Sequence, residues 1–305
     1  MQSVLVVLSV LCVGVVSGAD WCYQSQVSCN DTCRGPAQWG EVSAWCSARA
    51  QSPVNIVTRK VLPDGRLSPF QLTGYQDIID GRLINNGHTV QLDLPDRIKL
   101  RGGDLPATYK ALQLHLHWGR DGGPGSEHTI DGEQYPMEMH IVHIKENHPN
   151  ISEAVKDRTG VAVLGFLFQE SSSANEKFNP LITALKNITQ PTNSTTLKGV
   201  SLERFTAPQE TMTRYFRYNG SLTTPDCAEA VVWTLFEKAI PLSREQLAAF
   251  SQLEFASGQP MVETYRPVQP LNGRQVFYSG GQAAVLSSVV LISSVLCSAF
   301  SLQTV

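Results

Sequence analysis

The segment Gln113-Leu-His-Leu-His-Trp118 alternates polar and apolar residues, which is the pattern of a half-buried β-strand. Successive side chains of a strand point to opposite faces, so Gln113, His115 and His117 share one face. Two imidazoles two residues apart on a strand can both reach one metal ion. The opposite face is apolar, and we expect its leucines to pack in the core: Leu112, Leu114 and Leu116.

A second alternating segment, Glu138-Met-His-Ile-Val142, supplies another histidine. Glu138, His140 and Val142 share one face of this predicted strand. Three neutral nitrogen ligands with a fourth position open to water are typical of a catalytic zinc site. Spacing alone does not select the third ligand, because three further histidines are candidates by composition: His128, His143 and His148.

Each segment also carries a polar residue two positions before a candidate ligand. A zinc-bound histidine usually donates its other ring N–H to an oxygen, which fixes the tautomer. Glu138 and Gln113 are placed to accept such hydrogen bonds from His140 and His115. The alternative for an isolated His-x-His pair is a pair of surface polar residues. The lone pattern favours that alternative, whereas the accompanying carboxyl and amide favour a metal site.

The rest of the body is rich in predicted strands. Three apolar segments have strand periodicity or the continuous apolarity of a strand buried on both faces. Two segments have helical spacing or a capping box. We therefore predict one mainly β (α+β) domain of residues 19–279, with a mostly antiparallel sheet and short peripheral helices. The predicted strands are Val90–Leu94, Val161–Phe168 and Ala230–Phe236, and the predicted helices are Phe178–Ile188 and the one that Ser243 and Gln246 begin.

The N-terminus has the features of a secretory signal peptide over residues 1–18. Val4–Val16 is an almost unbroken apolar run that is followed by small residues. Cleavage after Gly18 or Ala19 fits equally well. The alternative, an uncleaved membrane anchor, is disfavoured because the run is shorter than the ~20 residues that a spanning helix needs.

The C-terminus is typical of a GPI-attachment signal. No charged residue follows Arg274, and Ser279 begins a run of three small residues before an apolar tail that ends the chain. We expect attachment at Ser279, removal of residues 280–305, and a position on the extracellular face of the plasma membrane. A plain transmembrane tail is the alternative, although it lacks the basic residues expected on the cytoplasmic side.

Cysteines and sequons fit a secreted protein. Five cysteines remain between the two processed ends, so one thiol is left over in an oxidising compartment: Cys22, Cys29, Cys33, Cys46 and Cys227. The small net charge of -3 gives no indication of a nucleic-acid surface. The chain also has five Asn-x-Ser/Thr sequons: Asn30, Asn150, Asn187, Asn193 and Asn219.

Six segments together resemble the α-carbonic anhydrases, in chain order from about Trp21 to Ser279. Besides the two histidine segments, they are Gln51-Ser-Pro-Val-Asn-Ile56, Asn85-Asn-Gly-His88, Ser126-Glu-His-Thr129 and Ser221-Leu-Thr-Thr-Pro225. The predicted anchor and the cysteines resemble the GPI-anchored isozyme IV subgroup. This resemblance implies a central, twisted, mostly antiparallel ten-stranded sheet, with the metal at the bottom of a conical cleft.

The resemblance implies a Zn2+ ion held by His115, His117 and His140. The implied reaction is the reversible hydration of CO2 to bicarbonate and a proton, in which a zinc-bound hydroxide attacks CO2. In the family pattern Thr223 accepts a hydrogen bond from that hydroxide and donates its own proton to Glu127. Taken without the pattern, Glu127 is a loop carboxylate and Thr223 belongs to a turn before a proline.

The same resemblance assigns the substrate pocket and the route of the proton. His88 corresponds to the proton shuttle, a role that a side chain with a pKa near 6.5 can fill. The chain of water molecules would be ordered by Tyr23, Asn86 and Gln113. Thr224 would contact bicarbonate, and the apolar wall would comprise Val142, Val163, Leu222, Val231 and Trp233. Ordinary core packing is the alternative for the five wall residues.

Disulfides Cys22–Cys33 and Cys46–Cys227 are likewise implied by the resemblance, the second one bracing the Thr223 loop. Cys29 has no counterpart in that pattern, and it could replace Cys33 as the partner of Cys22. We expect Asn219 to carry no glycan because its loop should be packed.

Two other functions compete with catalysis of CO2 hydration. One is a binding or adhesion module, but family members of that kind usually lack a zinc histidine, and none is missing here. The other is hydrolysis of esters as a side activity of the same site. A bicarbonate transporter is a candidate partner beside catalysis.

Overall fold

The computed structural model describes residues 21–27 and 33–281. The predicted signal peptide, the apolar tail, Cys29 and Asn30 therefore lie outside the described residues. Within them the chain forms fifteen strands. In chain order they are β1 Asn55–Ile56, β2 Leu62–Pro63, β3 Phe70–Thr73, β4 Ile79–Asn85, β5 Val90–Asp93, β6 Lys99–Gly102, β7 Tyr109–Trp118, β8 Thr129–Ile130, β9 Glu133–Gln134, β10 Met137–Lys145, β11 Val161–Ser171, β12 Ser194–Val200, β13 Tyr215–Gly220, β14 Val231–Ser243 and β15 Phe277–Tyr278.

Helices are short and lie between the strands. The α-helices of the described chain are α1 Gln24–Val27, α2 Trp39–Val42, α3 Ile151–Ala154, α4 Asn179–Leu185, α5 Leu202–Phe205 and α6 Arg244–Ala248. Single 3-10 turns occupy Pro36–Gln38, Ala44–Ser47, Thr58–Lys60, Glu176–Phe178, Gln209–Thr211, Ala249–Gln252 and Ser279–Gly281. No helix of residues 21–27 and 33–281 has the length and apolarity that crossing a membrane requires.

One large sheet dominates the described chain. Ten strands follow each other in the order β12-β4-β5-β7-β10-β11-β14-β13-β15-β2, and β6 joins β3 to β7 beside this path. All neighbours along the path are antiparallel except β11 with β14 and β15 with β2. The predicted fold class is confirmed: a mostly antiparallel sheet whose main path has ten strands, with β3 and β6 as additions. A small separate sheet contains β1, β8 and β9.

Most of the predicted elements are present. The apolar run that begins at Val161 is buried in β11, as expected for a strand covered on both faces. Residues 178–188 form a 3-10 turn followed by α4, and the helix ends earlier than its apolar spacing predicts. Ser243 and Gln246 form a complete capping box at the start of α6.

The two histidine strands are neighbours at the centre of the sheet. In the register of β7 with β10, His115 lies opposite His140 and His117 lies opposite Glu138. The pairing shifts between Val142, which faces Gln113, and the next residue of β10, which faces Ala111. Residues directly opposite each other in an antiparallel pair share a face, so the regular register before this β-bulge places both histidine segments on one face.

The bulge corrects one expectation about the apolar face of β7. Leu114 and Leu116 are buried in the main core, as predicted. Leu112 was expected beside them, but it is half-buried and lines the cavity on the opposite side. It is the residue that the shifted register leaves without a partner, so strict alternation fails at that position.

Candidate metal centre and cavity

Each of the three sequence-predicted ligands donates one ring N–H to an oxygen. His115 Nδ1 lies 2.8 Å from Gln113 Oε1, and His140 Nε2 lies 2.7 Å from Glu138 Oε1. His117 Nδ1 lies 2.6 Å from the backbone carbonyl of Thr264. Because these oxygens only accept hydrogen bonds, they fix which nitrogen of each ring carries the proton.

The three remaining nitrogens therefore present lone pairs, and they converge. One nitrogen from each histidine lies within 4.8 Å of the others. His140 Nδ1 is only 3.2 Å from His115 Nε2, although both are acceptors in these tautomers. Among the described residues the buried His117 Nε2 has no hydrogen-bond partner. Converging lone pairs without a donor are unfavourable alone, and a divalent cation that prefers imidazole would satisfy them.

The protonation of these rings suits a cation. Burial lowers the pKa of all three imidazoles, and that of His117 falls to about 4. They are consequently neutral near pH 7 and can serve as nitrogen ligands. The residues present fit a zinc ion in the donor set of three histidines.

Glu138 organises the region behind the ligands. Its Oε1 accepts hydrogen bonds from His140 Nε2 and from His128 Nδ1, both at 2.7 Å. Its Oε2 accepts the backbone N–H groups of Glu127 and His128, at 2.9 and 2.8 Å. Burial alone would raise the pKa of Glu138, but the two imidazoles hold it well below its usual range. The carboxylate is therefore charged and fully bonded.

Glu127 lies on the other side of the three nitrogens. Its Oε2 is 3.4 Å from His117 Nε2, and its Oε1 accepts the backbone N–H of Arg266 at 2.9 Å. Burial raises the pKa of Glu127 to about 7, whereas His140, the Thr223 side chain and the Arg266 N–H oppose that rise. A cation among the histidines would favour the carboxylate further. Glu127 and Thr223 thus lie together at the centre, as the resemblance implies.

A cavity of about 370 Å3 opens over the histidines. A water molecule takes about 30 Å3 of liquid volume, so the cavity holds a small molecule and several waters together. The lining combines apolar and polar side chains, which offer contacts to an apolar substrate and to ordered water. The lining comprises Val142, Val163, Leu222, Trp233, Leu112 and Ile151 together with Gln91, Asp93, Gln113, His115, His140, Thr223 and Thr224.

Val231 differs from the other predicted wall residues. It is fully buried in the apolar cluster that also contains Val142 and Val163, but it does not line the cavity. Its side chain supports the wall through packing.

His88 lies in the turn between β4 and β5, beside the cavity lining. Its backbone N–H donates to Asn86 Oδ1 at 3.0 Å, and Asn86 Nδ2 donates to Gln91 Oε1 at 3.4 Å. The His88 ring stacks on Trp21, with centroids 3.9 Å apart, and the buried Tyr23 meets it edge-on at 6.5 Å. The structure thus brings Tyr23 and Asn86 to His88, and it adds Trp21.

Both implied disulfides are formed. Cys22 is bonded to Cys33, and Cys46 is bonded to Cys227. The backbone N–H of Cys227 donates to the carbonyl of Thr224 at 2.8 Å, so the second bridge is tied to the loop that carries Thr223.

The exposure of the sequons corrects one expectation. Asn219 was expected in a packed loop, but it is exposed in β13, so packing provides no reason for it to lack a glycan. The other described sequon residues are also exposed: Asn150, which caps α3, together with Asn187 and Asn193.

Sequence reasoning missed several contributors. Thr264 acts through a backbone carbonyl, which leaves no side-chain signal, and Arg266 lies in a segment without strand or helix periodicity. His128 does have a signal, since it sits inside the segment Ser126–Thr129 beside Glu127. The acidic Asp93 and the amide of Gln91 share the cavity because β5 pairs with β7.

Comparison with known proteins agrees with this geometry. The family described as eukaryotic-type carbonic anhydrase matches residues 34–280. Carbonic anhydrase 4 of Oryctolagus cuniculus is 44% identical over 270 residues, which are 87% of this chain and 86% of the relative. Carbonic anhydrase 4 of Mus musculus is 42% identical over 271 residues, with 88% and 87% coverage. Carbonic anhydrase 15 of Mus musculus is 37% identical over 289 residues, with 90% and 87% coverage.

The protein is therefore a carbonic anhydrase, a member of the eukaryotic-type family. Its family activity is the interconversion of CO2 and bicarbonate, and the three-histidine cluster provides the metal site that the family implies.

Proposed function

We propose that the protein is a zinc-dependent CO2 hydratase at the outer cell surface, with zinc held by His115, His117 and His140. The observation that carries this proposal is the set of three imidazoles with converging lone pairs, of which His117 and His140 are buried and His115 is half-buried. Each ring is fixed by an oxygen acceptor, so the ligands are oriented before the metal binds. This fixed orientation of the ligands favours one coordination geometry of the bound ion over others.

Zinc in such a site would supply a nucleophilic hydroxide at neutral pH by lowering the pKa of water to about 7. The Thr223 hydroxyl would donate its hydrogen bond to Glu127, which leaves the Thr223 oxygen as an acceptor for a group in the cavity. Glu127 can act only as an acceptor there when ionised, and the Arg266 N–H stabilises that form. The pair would thereby orient the attacking group toward the substrate, which is an orientation effect.

The apolar wall binds CO2 without competing hydrogen bonds. Val142, Val163, Leu222 and Trp233 face the same cavity as Thr223 and Thr224. CO2 is small and apolar, so burial against these side chains favours it over water. Bicarbonate is polar, and Thr224 provides a hydroxyl for it before it leaves.

Each turnover also releases one proton, which His88 carries away. Its backbone contact with Asn86, which bonds to Gln91, connects it to the polar lining of the cavity. Gln113, which also lines the cavity, fixes His115, and the buried Tyr23 ring meets His88 edge-on. An imidazole can accept and release a proton near neutral pH.

The ligand assignment is tested with His117→Ala, and His148→Ala is the matched control. His148 is half-buried and contacts Asp157 outside the cavity. We expect His117→Ala to lose bound zinc and CO2 hydration together, and His148→Ala to keep both. Zinc content by mass spectrometry and stopped-flow hydration are the measurements. Full activity in His117→Ala would overturn the ligand assignment.

The role of Thr223 is tested separately from metal binding. We expect Thr223→Val to keep its zinc and to lose about 100-fold in kcat/KM, the low end of the 10^2- to 10^4-fold range for positioned acid–base groups, because Thr223 orients the reacting group and does not exchange its proton. Thr224→Val should change bicarbonate dehydration more than zinc content. Unchanged kcat/KM in Thr223→Val would contradict the orienting role.

The sequence of the two ends supports secretion and a GPI anchor at Ser279. Release from cells by phosphatidylinositol-specific phospholipase C, with a C-terminal peptide that ends at Ser279, is the expected result. Retention after this treatment would favour a transmembrane tail.

A bicarbonate transporter is the proposed partner, because bicarbonate is charged and needs a carrier to cross the membrane. Co-purification from detergent extracts tests it, and glycan mapping tests Asn30, Asn150, Asn187 and Asn193.

A further inference from the structure

The described residues 21–27 contact the proposed shuttle although they contribute no strand to the large sheet. Trp21 and His88 are stacked almost in parallel, with an interplanar angle of 14° and ring centroids 3.9 Å apart. Both residues are half-buried. Stacking of this kind limits the rotation of the imidazole ring at the edge of the cavity.

Trp21 is itself held by neighbouring aromatic rings. It meets Trp39 edge-on at 5.2 Å and Tyr23 edge-on at 5.3 Å. Trp39 is fully buried, and Arg266 lies over its ring at 5.4 Å. Trp21 thus links the surface turn of His88 to a ring that is fixed in the core.

The Cys22–Cys33 disulfide closes the loop on which Trp21 depends. Trp21 precedes one cysteine and Arg34 follows the other, and these two residues form an isolated β-bridge. Cys22 N–H donates to the Arg34 carbonyl at 2.9 Å. Trp39 Nε1 is shared between the carbonyls of Cys22 and Arg34, at 3.2 and 3.1 Å. In addition to these contacts, the disulfide is the covalent link that keeps residues 21 and 22 close to residue 34.

We propose that the Cys22–Cys33 disulfide is a positioning device for proton export, because it holds the Trp21 ring against His88. The inference rests on the proposed shuttle role of His88. Opening the disulfide leaves residues 21 and 22 held to residue 34 only by the β-bridge and its hydrogen bonds, so the Trp21 ring loses the covalent support of its position against His88. His88 then samples orientations from which it exchanges protons with the cavity less often.

This role predicts a separation of kinetic constants. Conversion of CO2 to bicarbonate precedes proton export, so kcat/KM reports the chemistry and kcat reports the slower export step. Loss of the Trp21 contact should therefore lower kcat and leave kcat/KM unchanged. Added imidazole buffer, which carries the proton in place of His88, should restore kcat.

The experiment compares the full-length Cys29→Ser chain with the same chain carrying Cys22→Ser and Cys33→Ser. Removing Cys29 from both prevents re-pairing of the remaining thiols. We expect kcat in dilute buffer to fall about fivefold, the factor that corresponds to one aromatic pair. In concentrated imidazole the two proteins should have equal kcat. Equal kcat in dilute buffer, or a parallel fall of kcat and kcat/KM, would overturn the proposal.

Trp21→Ala keeps the disulfide and provides the test if the cysteine variant does not fold. It should show the same loss of kcat and the same rescue, whereas Trp21→Phe retains a stacking ring and most of the kcat. His88→Ala tests the shuttle role of His88 separately from the positioning role of the disulfide and Trp21. If it keeps full kcat, the shuttle assignment fails and this proposal with it. If it lowers kcat while Trp21→Ala does not, this proposal alone fails.

Discussion

Two groups of histidines that are buried, apart from the half-buried His115, differ in how their ring nitrogens are satisfied. His128 bonds to Glu138 through one nitrogen and to the Tyr218 hydroxyl through the other, at 2.7 and 2.6 Å. His143 likewise bonds to the Tyr75 hydroxyl and to the Ala162 carbonyl. Among the three proposed ligands, His117 has one nitrogen bonded and one unpartnered within the described chain.

Burial therefore does not distinguish a ligand from a structural histidine in this protein. What distinguishes them is the second nitrogen: protein groups satisfy it in His128 and His143, and only a lone-pair acceptor such as a metal would satisfy it in the proposed ligands.

The largest effect is expected from Glu138→Ala, because Glu138 serves both groups. The change strips His140 of its acceptor and leaves the ring N–H of His128 and two backbone N–H groups unpaired. Breaking such a buried charged network costs about 3–5 kcal/mol, and zinc affinity should fall about 10- to 100-fold. Denaturant unfolding and competition with a chelator measure the two losses. A loss of stability without any loss of zinc affinity would contradict this expectation, because Glu138 would then support His128 but not the proposed ligand His140.

The next effect concerns pH and the satisfied group. Burial lowers the pKa of His143 from 6.5 to about 4, so the unfolded chain binds a proton there that the folded protein does not. Stability should therefore fall as pH decreases from about 6.5 to about 4, by about 3 kcal/mol from this residue. His143→Gln keeps a donor and an acceptor but does not titrate. Its unfolding free energy should depend less on pH over that window, and an unchanged pH dependence would contradict the assignment.

Tyr218→Phe should affect stability without affecting catalysis. It removes the hydroxyl that bonds to His128 Nε2 and to Ser52 Oγ, and a buried polar group left unpaired costs about 1–3 kcal/mol. Tyr75→Phe does the same to His143 and is the matched variant. Thermal unfolding and stopped-flow hydration check both. A large loss of kcat/KM in either variant would show that the satisfied histidines take part in the chemistry.

The smallest effect is expected from Gln113→Leu. His115 loses the acceptor that orients it but keeps its lone pair, so zinc affinity should fall about tenfold, the low end for such partners. Gln91→Leu removes an amide from the same cavity that lies opposite His115 but bonds to Asn86 and Asp93, so zinc affinity should be retained. Equal zinc affinity in both variants would mean that the Gln113 hydrogen bond does not tune the metal.

The predictable part of the molecule was set by local patterns. Strand alternation placed His115, His117 and their partners Gln113 and Glu138, because a period of two fixes which side chains share a face. It failed at Leu112, where a register shift depends on the neighbouring strand. The choice of His140 rather than His128 as the proposed third ligand also needed the resemblance, since both histidines are buried beside Glu138.

Contacts between distant segments were beyond sequence reasoning. The carbonyl of Thr264 reaches His117 across 147 residues, and Arg266 braces Glu127 across 139. Backbone groups are present at every position, so their use in a site leaves no mark on the sequence. The stack of Trp21 on His88 is of the same kind, because it depends on where the N-terminal segment docks.

Nitrogen-15 NMR of the histidine rings, recorded without zinc and after zinc is added, tests the difference between the two groups most directly. We expect large changes at Nε2 of His115, Nε2 of His117 and Nδ1 of His140, the three nitrogens that would bind zinc. Their other nitrogens should stay protonated, and the resonances of His128 and His143 should keep their tautomeric state. A zinc-dependent change at either nitrogen of His128 or His143, or no change at one of the three proposed ligands, would contradict this division into ligands and structural histidines.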